Sequence, residues 1–271
     1  MNLDKIRERL HYTNGFVPTL EVLTELQRNF LLYVPFENLD IHMDIPMDFS
    51  ESALFDKIVE RKRGGLCFEN NTLFFDLLKQ IGFDVHFVGA EMFKNNPSTI
   101  EINHMALLVS IKDETYLVDV GNGRFYGSPI PLKKEILIQG EDTSYFIEDC
   151  QNFKTLLFLD SNGLKQPRYS FDPMPKQLED FREPSMFTQY APESIFKQKI
   201  LVTLYKDNGR VTLSESKLIL TKEAKQETQE LQTSEEYRDI LTKMFDIKLE
   251  DDQLEMLINK VQIKKEAMKP L

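Results

Sequence analysis

Residues 63–92 read RGGLCFENNTLFFDLLKQIGFDVHFVGAEM, and the spacing of their apolar side chains changes once, at Gly82. Before it, Phe74, Leu77, Leu78 and Ile81 recur at helical intervals. This predicts a helix that begins near Cys67 and stops at Gly82, because glycine tolerates the left-handed backbone of a helix end. After it, from Asp84, the chain turns to alternation and short apolar runs, the pattern of strands. One stretch therefore joins a helical part of the molecule to a sheet.

Toward the N-terminus the helical pattern continues. Leu3, Ile6 and Leu10 form one short apolar face, and Leu20, Leu23, Leu26 and Phe30 form a longer one with Thr19 as its cap. Ser50 caps a third helix, which carries Leu54 and Ile58. Toward the C-terminus, DVHFVGAEMF, HMALLVSI, TYLVDV, EILIQ and KTLLFLD are expected strands, separated by turn chemistry such as Asn95-Asn96-Pro97 and Ser161-Asn162-Gly163. Residues 199–221 predict a hairpin turning on Asn208-Gly209, and helical pattern returns over Ser234–Phe245 and Leu254–Val261. The polar run Glu223–Glu235 is expected to be an exposed connection. The order is that of an α+β chain in three units of about 80 to 100 residues.

With 271 residues, 41% hydrophobic and 28% charged, the composition is that of a soluble globular protein. The formal net charge of −11 and the lack of a dense basic face argue against nucleic acid as a partner. MNLDKIRERL alternates in charge where a signal peptide needs an apolar core, and no apolar run spans a bilayer, so neither export nor a membrane is expected. The two cysteines, Cys67 and Cys150, do not make a disulfide framework, which points to free thiols in a reducing cytoplasm. His11, His42, His86 and His104 show no ligand spacing, so no metal is expected.

Cys67 follows a glycine pair at a helix start. Exposed backbone N–H groups and the positive helix end favour a thiolate there, and Arg63 acts in the same direction. A nucleophilic thiol needs a base and a group to orient that base. His104 opens the strand HMALLV, and Asp119 ends the strand YLVD. A two-residue turn at Lys112-Asp113 would place Asp119 opposite Ala106, diagonal to His104 on one sheet face. A three-residue loop would put the two on opposite faces. Cys67, His104 and Asp119 then supply nucleophile, base and orienter for thiol acyl chemistry, with donor and acceptor undefined.

RGGLCFENN resembles the arginine-glycine-glycine-x-cysteine-x-glutamate-x-asparagine signature of the arylamine N-acetyltransferases, with Arg63, Gly64, Gly65, Cys67, Glu69 and Asn71 in register. PTLEVLTELQRNFLLYVPFENLDIH, NHMALLV and YLVDVGNG are similar to the segments around it, and the likeness covers most of the chain. The resemblance implies a helical domain over 1–83 with Cys67, a β-barrel over 84–192 with His104 and Asp119, and an α/β lid over 193–271. It implies that Cys67 carries an acetyl group from acetyl-CoA to an arylamine or hydrazine, with no tightly bound cofactor. By the same likeness Arg63 pairs structurally with Glu37, and Phe36, Met92, Asn103 and Asn122 line the acceptor pocket. Gly123, Arg124, Phe125 and Tyr126 lie by the CoA phosphates. Asn122 departs from the family, which usually has an aromatic there. Two other readings use the same residues: a cysteine hydrolase or transglutaminase-like enzyme, and a homologue that binds CoA or an arylamine without turnover.

Overall fold

A computed structural model describes residues 1–93, 99, 101–123, 128–133, 136–139, 143–150, 152–160, 162–206, 209–222 and 225–267, the last six of these by backbone alone. The helical part holds α1 (Leu3–Arg9), α2 (Leu20–Tyr33), a two-residue strand β1 (Phe36–Glu37), α3 (Leu39–His42), α4 (Glu51–Phe55) and α5 (Cys67–Ile81). The starts follow side-chain chemistry. Thr19 Oγ1 accepts from Val22 N and Ser50 Oγ accepts from Ala53 N, which satisfies donors that the first turn leaves open. The stop at Gly82 has φ 101°. Between α4 and α5 the helix widens into a π-turn over Asp56–Glu60.

Eight strands follow: β2 (Asp84–Met92), β3 (His104–Ile111), β4 (Glu114–Val118), β5 (Ile130–Pro131), β6 (Ile138–Gln139), β7 (Ser144–Cys150), β8 (Phe153–Leu159) and β9 (Lys165–Phe171). They form an antiparallel sheet in the order β5-β4-β3-β2-β9-β8-β7-β6, and β5 packs against β7, so the sheet nearly closes into a barrel. After α6 (Arg182–Tyr190) and α7 (Ile195–Gln198) come β10 (Leu201–Lys206), β11 (Gly209–Ser214), β12 (Lys217–Lys222) and β13 (Lys225–Glu230), then α8 (Ser234–Phe245) and α9 (Asp251–Ala267). No helix among the described residues is long and apolar enough to cross a membrane.

Three apolar clusters hold these layers. Phe68, Phe74 and Leu77 of α5 pack on Val85, Phe87, Met105, Leu107 and Val118, the outer face of the barrel. Val88, Ala90, Ala106, Leu108, Leu156, Tyr169 and Phe171 fill its interior. Val202, Leu213 and Leu218 of the second sheet bury against Tyr237, Leu241, Phe245 and Leu257 of the last two helices.

Four details depart from the expected pattern. Gly209, expected in the turn, is instead the first residue of β11 and pairs with Lys206, while Asn208 lies outside the described residues; a Cβ on Gly209 would stand 2.0 Å from the Thr221 carbonyl oxygen, so this glycine serves a close strand approach. The stretch expected as a connection contains β13, whose side chains are all exposed; its backbone completes β12, and its polar surface is that of a protected edge. Among the described residues of EILIQ only Ile138 and Gln139 pair. Strands β5, β7 and β9 lay outside the expected set, β9 because Pro167 interrupts its pattern. That proline sits at a bulge where the register passes from Leu156↔Tyr169 to Leu157↔Pro167, leaving Arg168 unpaired.

The crossing that matters for the site is β1. Phe36 pairs with Thr203 of β10 and bridges to Gly65, so the turn before Cys67 is tied to the C-terminal sheet. A Cβ on Gly64 would stand 1.8 Å from the Pro35 carbonyl oxygen, which explains glycine there.

Candidate active site

Three elements converge on one point. Cys67 is the first residue of α5, His104 the first of β3, and Asp119 follows β4; all three are buried. The turn between β3 and β4 is the two-residue one, with Ile111 paired to Glu114 and Lys112 at φ 54°. His104 Nε2 lies 2.8 Å from Asp119 Oδ2, and Cys67 hydrogen-bonds the His104 ring. Burial opposes a charged imidazole, but the charges of Asp119 and Cys67 and their hydrogen bonds outweigh it and push its pKa up to about 10.

Asp119 is 0% exposed, and burial alone would raise its carboxyl. His104, by charge and hydrogen bond, and donors from Asn71 and Gly121 instead bring it below the ordinary value. Among the described residues five groups donate to it. Oδ2 accepts from His104, from Asn122 Nδ2 at 2.6 Å and from Tyr169 Oη at 3.0 Å. Oδ1 accepts from Asn71 Nδ2 at 3.1 Å and Gly121 N at 2.8 Å. A buried carboxylate so surrounded is a fixed negative charge.

Asn71 and Tyr169 were not assigned roles from the sequence. Asn71 stands one turn after Cys67; its Nδ2 also donates to the Met105 carbonyl at 2.8 Å, and its Oδ1 accepts from Val120 N at 3.0 Å. It thus locks α5 to β3 and to the loop after β4, a role its i+4 spacing from Cys67 could have signalled. Tyr169, on the bulged strand, offered no such signal. Gly121 passes so close to Cys67 that a Cβ there would lie 2.5 Å from the Cys67 Cα.

A buried ion network supports the start of α5. Arg63 Nε meets Glu37 Oε1 and Arg63 Nη2 meets Asp40 Oδ1, both at 2.7 Å; Lys57 Nζ meets Asp40 Oδ2 at 2.7 Å and Glu69 Oε1 at 2.6 Å. Burial works against the Lys57 charge, but Glu69, Glu37 and Asp40 hold its pKa up at about 12. With three carboxyls to two cations, burial pushes Glu69 upward against the pull of Lys57. Glu69 Oε2 accepts from Leu66 N, so the network fixes the backbone immediately before Cys67. Arg63→Gln leaves Glu37 without its cation and Asp40 with Lys57 alone, and is expected to cost about 3–5 kcal/mol in urea unfolding. A loss under 1 kcal/mol would show that these carboxyls find other partners.

The expected pocket and cofactor residues divide. The Phe36 ring meets Phe196 at 5.9 Å between centroids and lies 3.8 Å from where a Gly123 Cβ would stand, beside the loop after Asp119. Met92 pairs with Tyr169, and its N donates to the side chain of exposed Asn103. Asn122 is buried and directs its amide to Asp119. Gly123 has φ 65°, and its carbonyl accepts from Tyr205 Oη at 3.1 Å. Arg124, Phe125 and Tyr126 lie outside the described residues. Among the described residues no three His, Cys, Asp or Glu side chains group as metal ligands.

A family model described as N-acetyltransferase matches residues 19–254. The chain belongs to the arylamine N-acetyltransferase family. By that membership it is an acyltransferase. It is 30% identical to the arylamine N-acetyltransferase liver isozyme of Gallus gallus, over 93% of this chain and 97% of that one. Among solved family structures, that of Mycobacterium marinum in complex with CoA superposes with a TM-score of 0.86 at 28% identity, covering 96% of this chain and 99% of the other. The Salmonella typhimurium arylamine N-acetyltransferase gives 0.88 at 26% identity, over 95% and 98%. The family fold therefore extends over nearly the whole chain.

Proposed function

We propose that this chain transfers the acetyl group of acetyl-CoA to an arylamine or arylhydrazine through an acetyl-Cys67 thioester. The observation that carries the reading is His104 held 2.8 Å from the buried Asp119 carboxylate, with Cys67 at the start of α5 close enough to act on its ring. The Cys67 thiolate attacks the thioester carbonyl, the carbon–sulfur bond to CoA breaks, and the imidazolium of His104 protonates the departing CoA thiolate. The amine then attacks acetyl-Cys67 and gives its proton to His104, and Cys67 leaves as the thiolate. An aromatic amine suits this second step because its conjugate acid is weak, so the free base dominates near neutral pH.

Three units, 1–83, 84–192 and 193–271, serve this division of labour in the proposed enzyme. They carry the nucleophile, the base with its carboxylate, and a cover that excludes water from the thioester. The names of the family relatives and the CoA complex of one of them support the choice of donor and acceptor. The loop after Asp119, beginning at Gly123, is the proposed neighbour of the CoA phosphates. The two free thiols, Cys67 and Cys150, suit a reducing cytoplasm.

Intact-mass measurement tests the reading. Acetyl-CoA alone is expected to add one acetyl group and release one CoA, and an arylamine is expected to remove that acetyl group. A protein that gains no mass and releases no CoA would end the proposal.

A further inference from the structure

Asn122 stands where the family usually carries an aromatic, yet its side chain is turned inward. Its Nδ2 lies 2.6 Å from Asp119 Oδ2, the same oxygen that holds His104, and the residue is buried. Its backbone is braced independently. The bulge in β9 leaves Arg168 out of the strand pairing and redirects its side chain. Arg168 Nη2 then donates to the Asn122 carbonyl at 2.6 Å, and its guanidinium lies 5.4 Å from the Phe93 ring centroid. Phe93 N in turn donates to the Arg168 carbonyl at 2.9 Å. One strand irregularity thus meets one departure from the family pattern at Asn122, whose amide ends on a single carboxylate oxygen.

We infer that Asn122, held by Arg168, is a positioning residue that sets the orientation and hydrogen-bond strength of Asp119 toward His104. The inference deepens the proposed acetyl transfer and rests on it. An amide donor on Oδ2 shares the lone pairs that His104 uses. It therefore weakens the pull of Asp119 on the imidazolium while preventing the carboxylate from rotating away. An aromatic at this position offers no such donor. Among the described residues the titratable groups facing the pair are Cys67 from α5 and Tyr169 from β9, with Arg168 of β9 on the Asn122 carbonyl. Neither Cys67 nor Tyr169 depends on Asn122 for its contact.

The test is the first half-reaction, followed by CoA release with no amine present, so that the acceptor pocket has no part in the readout. Asn122→Phe and Asn122→Ala are expected to slow acetylation roughly tenfold, the effect of one hydrogen bond to a charged group. They are also expected to move the alkaline limit of the pH profile upward, because Asp119 then holds the imidazolium more strongly. Arg168→Met is expected to act in the same direction by a smaller factor, and Asn122→Ser, which keeps a donor, to recover part of the rate. Thermal melts establish that each variant is folded; should Asn122→Phe fail to fold, the alanine and serine variants decide. The His104 Nε2 proton resonance supplies a readout independent of turnover and is expected to shift in Asn122→Ala. Wild-type acetylation rates and an unmoved pH limit, with only the KM for amines altered, would reduce Asn122 to a lining residue and overturn the inference. A wild-type protein that takes up no acetyl group overturns the triad reading and this inference with it.

Discussion

Cys67→Ala is expected to take up no acetyl group from acetyl-CoA and to lose amine acetylation by a factor of at least about 10⁴. The thioester needs the Cys67 Sγ, and neither neighbour can replace it. His104 stays tied to Asp119, and Asp119 is enclosed by five donors. The other thiol, Cys150, ends β7 and accepts a hydrogen bond from Thr155 Oγ1 at 3.4 Å, so Cys150→Ser should acetylate as wild type does. The fold should survive the Cys67 change, because losing one small buried group costs about 1 kcal/mol. Intact mass with a thermal melt reads both halves of the expectation. Acetyl uptake by the alanine variant at the wild-type rate would assign the chemistry to another residue.

The second large effect is expected at Asp119→Asn, an isosteric change that removes the charge. The amide must present Nδ2 either to His104, Asn122 and Tyr169 or to Asn71 and Gly121, so at least two buried donors lose their acceptor. Burial then works against the imidazolium with Cys67 alone opposing it, and its pKa is expected to fall from about 10. The imidazolium of His104 is lost near neutral pH, and acetylation should slow by about 10³–10⁴. The pH dependence of stability carries the opposite sign in the two proteins. In the wild type, His104 has a raised pKa, so its stabilising contribution is complete below 6.5 and disappears as pH rises through about 10. Asp119, with a lowered pKa, contributes above the ordinary 3.8 and loses its effect as pH falls through its folded value. In the variant the histidine folds neutral, so its stability should climb between about pH 5 and 7, where the wild type gains nothing from this pair. Urea unfolding at pH 5.5 and 7.5 separates the two. Near-normal turnover in the asparagine variant would leave Asp119 with a structural role only.

Much of this arrangement was legible one segment at a time. The change of spacing at Gly82, the caps at Thr19 and Ser50, and the limits of α8 depend on interactions within a few residues, and local composition encodes those directly. The diagonal placement of His104 and Asp119 was legible for the same reason, once a two-residue turn set the register. What stayed hidden was long-range or disguised. Strand β13 has the composition of a loop because every side chain on it faces water, and only its backbone bonds to β12 make it a strand. Strand β9 is broken by Pro167, so nothing local marked Tyr169 as a ligand of Asp119, 50 positions earlier.

The sequence by itself determined the α+β class, the helix that opens on Cys67 and the strand pair that brings His104 to Asp119, since each follows from periodicity and turn chemistry along a short segment. Only the tertiary structure decided that β1 joins the C-terminal sheet, that Arg168 bulges from β9, and that Asn122 turns its amide toward the carboxylate. The physical reason is that a hydrogen-bonding group carries no record of its partner. A buried carboxylate takes whichever donors the packed elements deliver, and that delivery depends on how distant strands register.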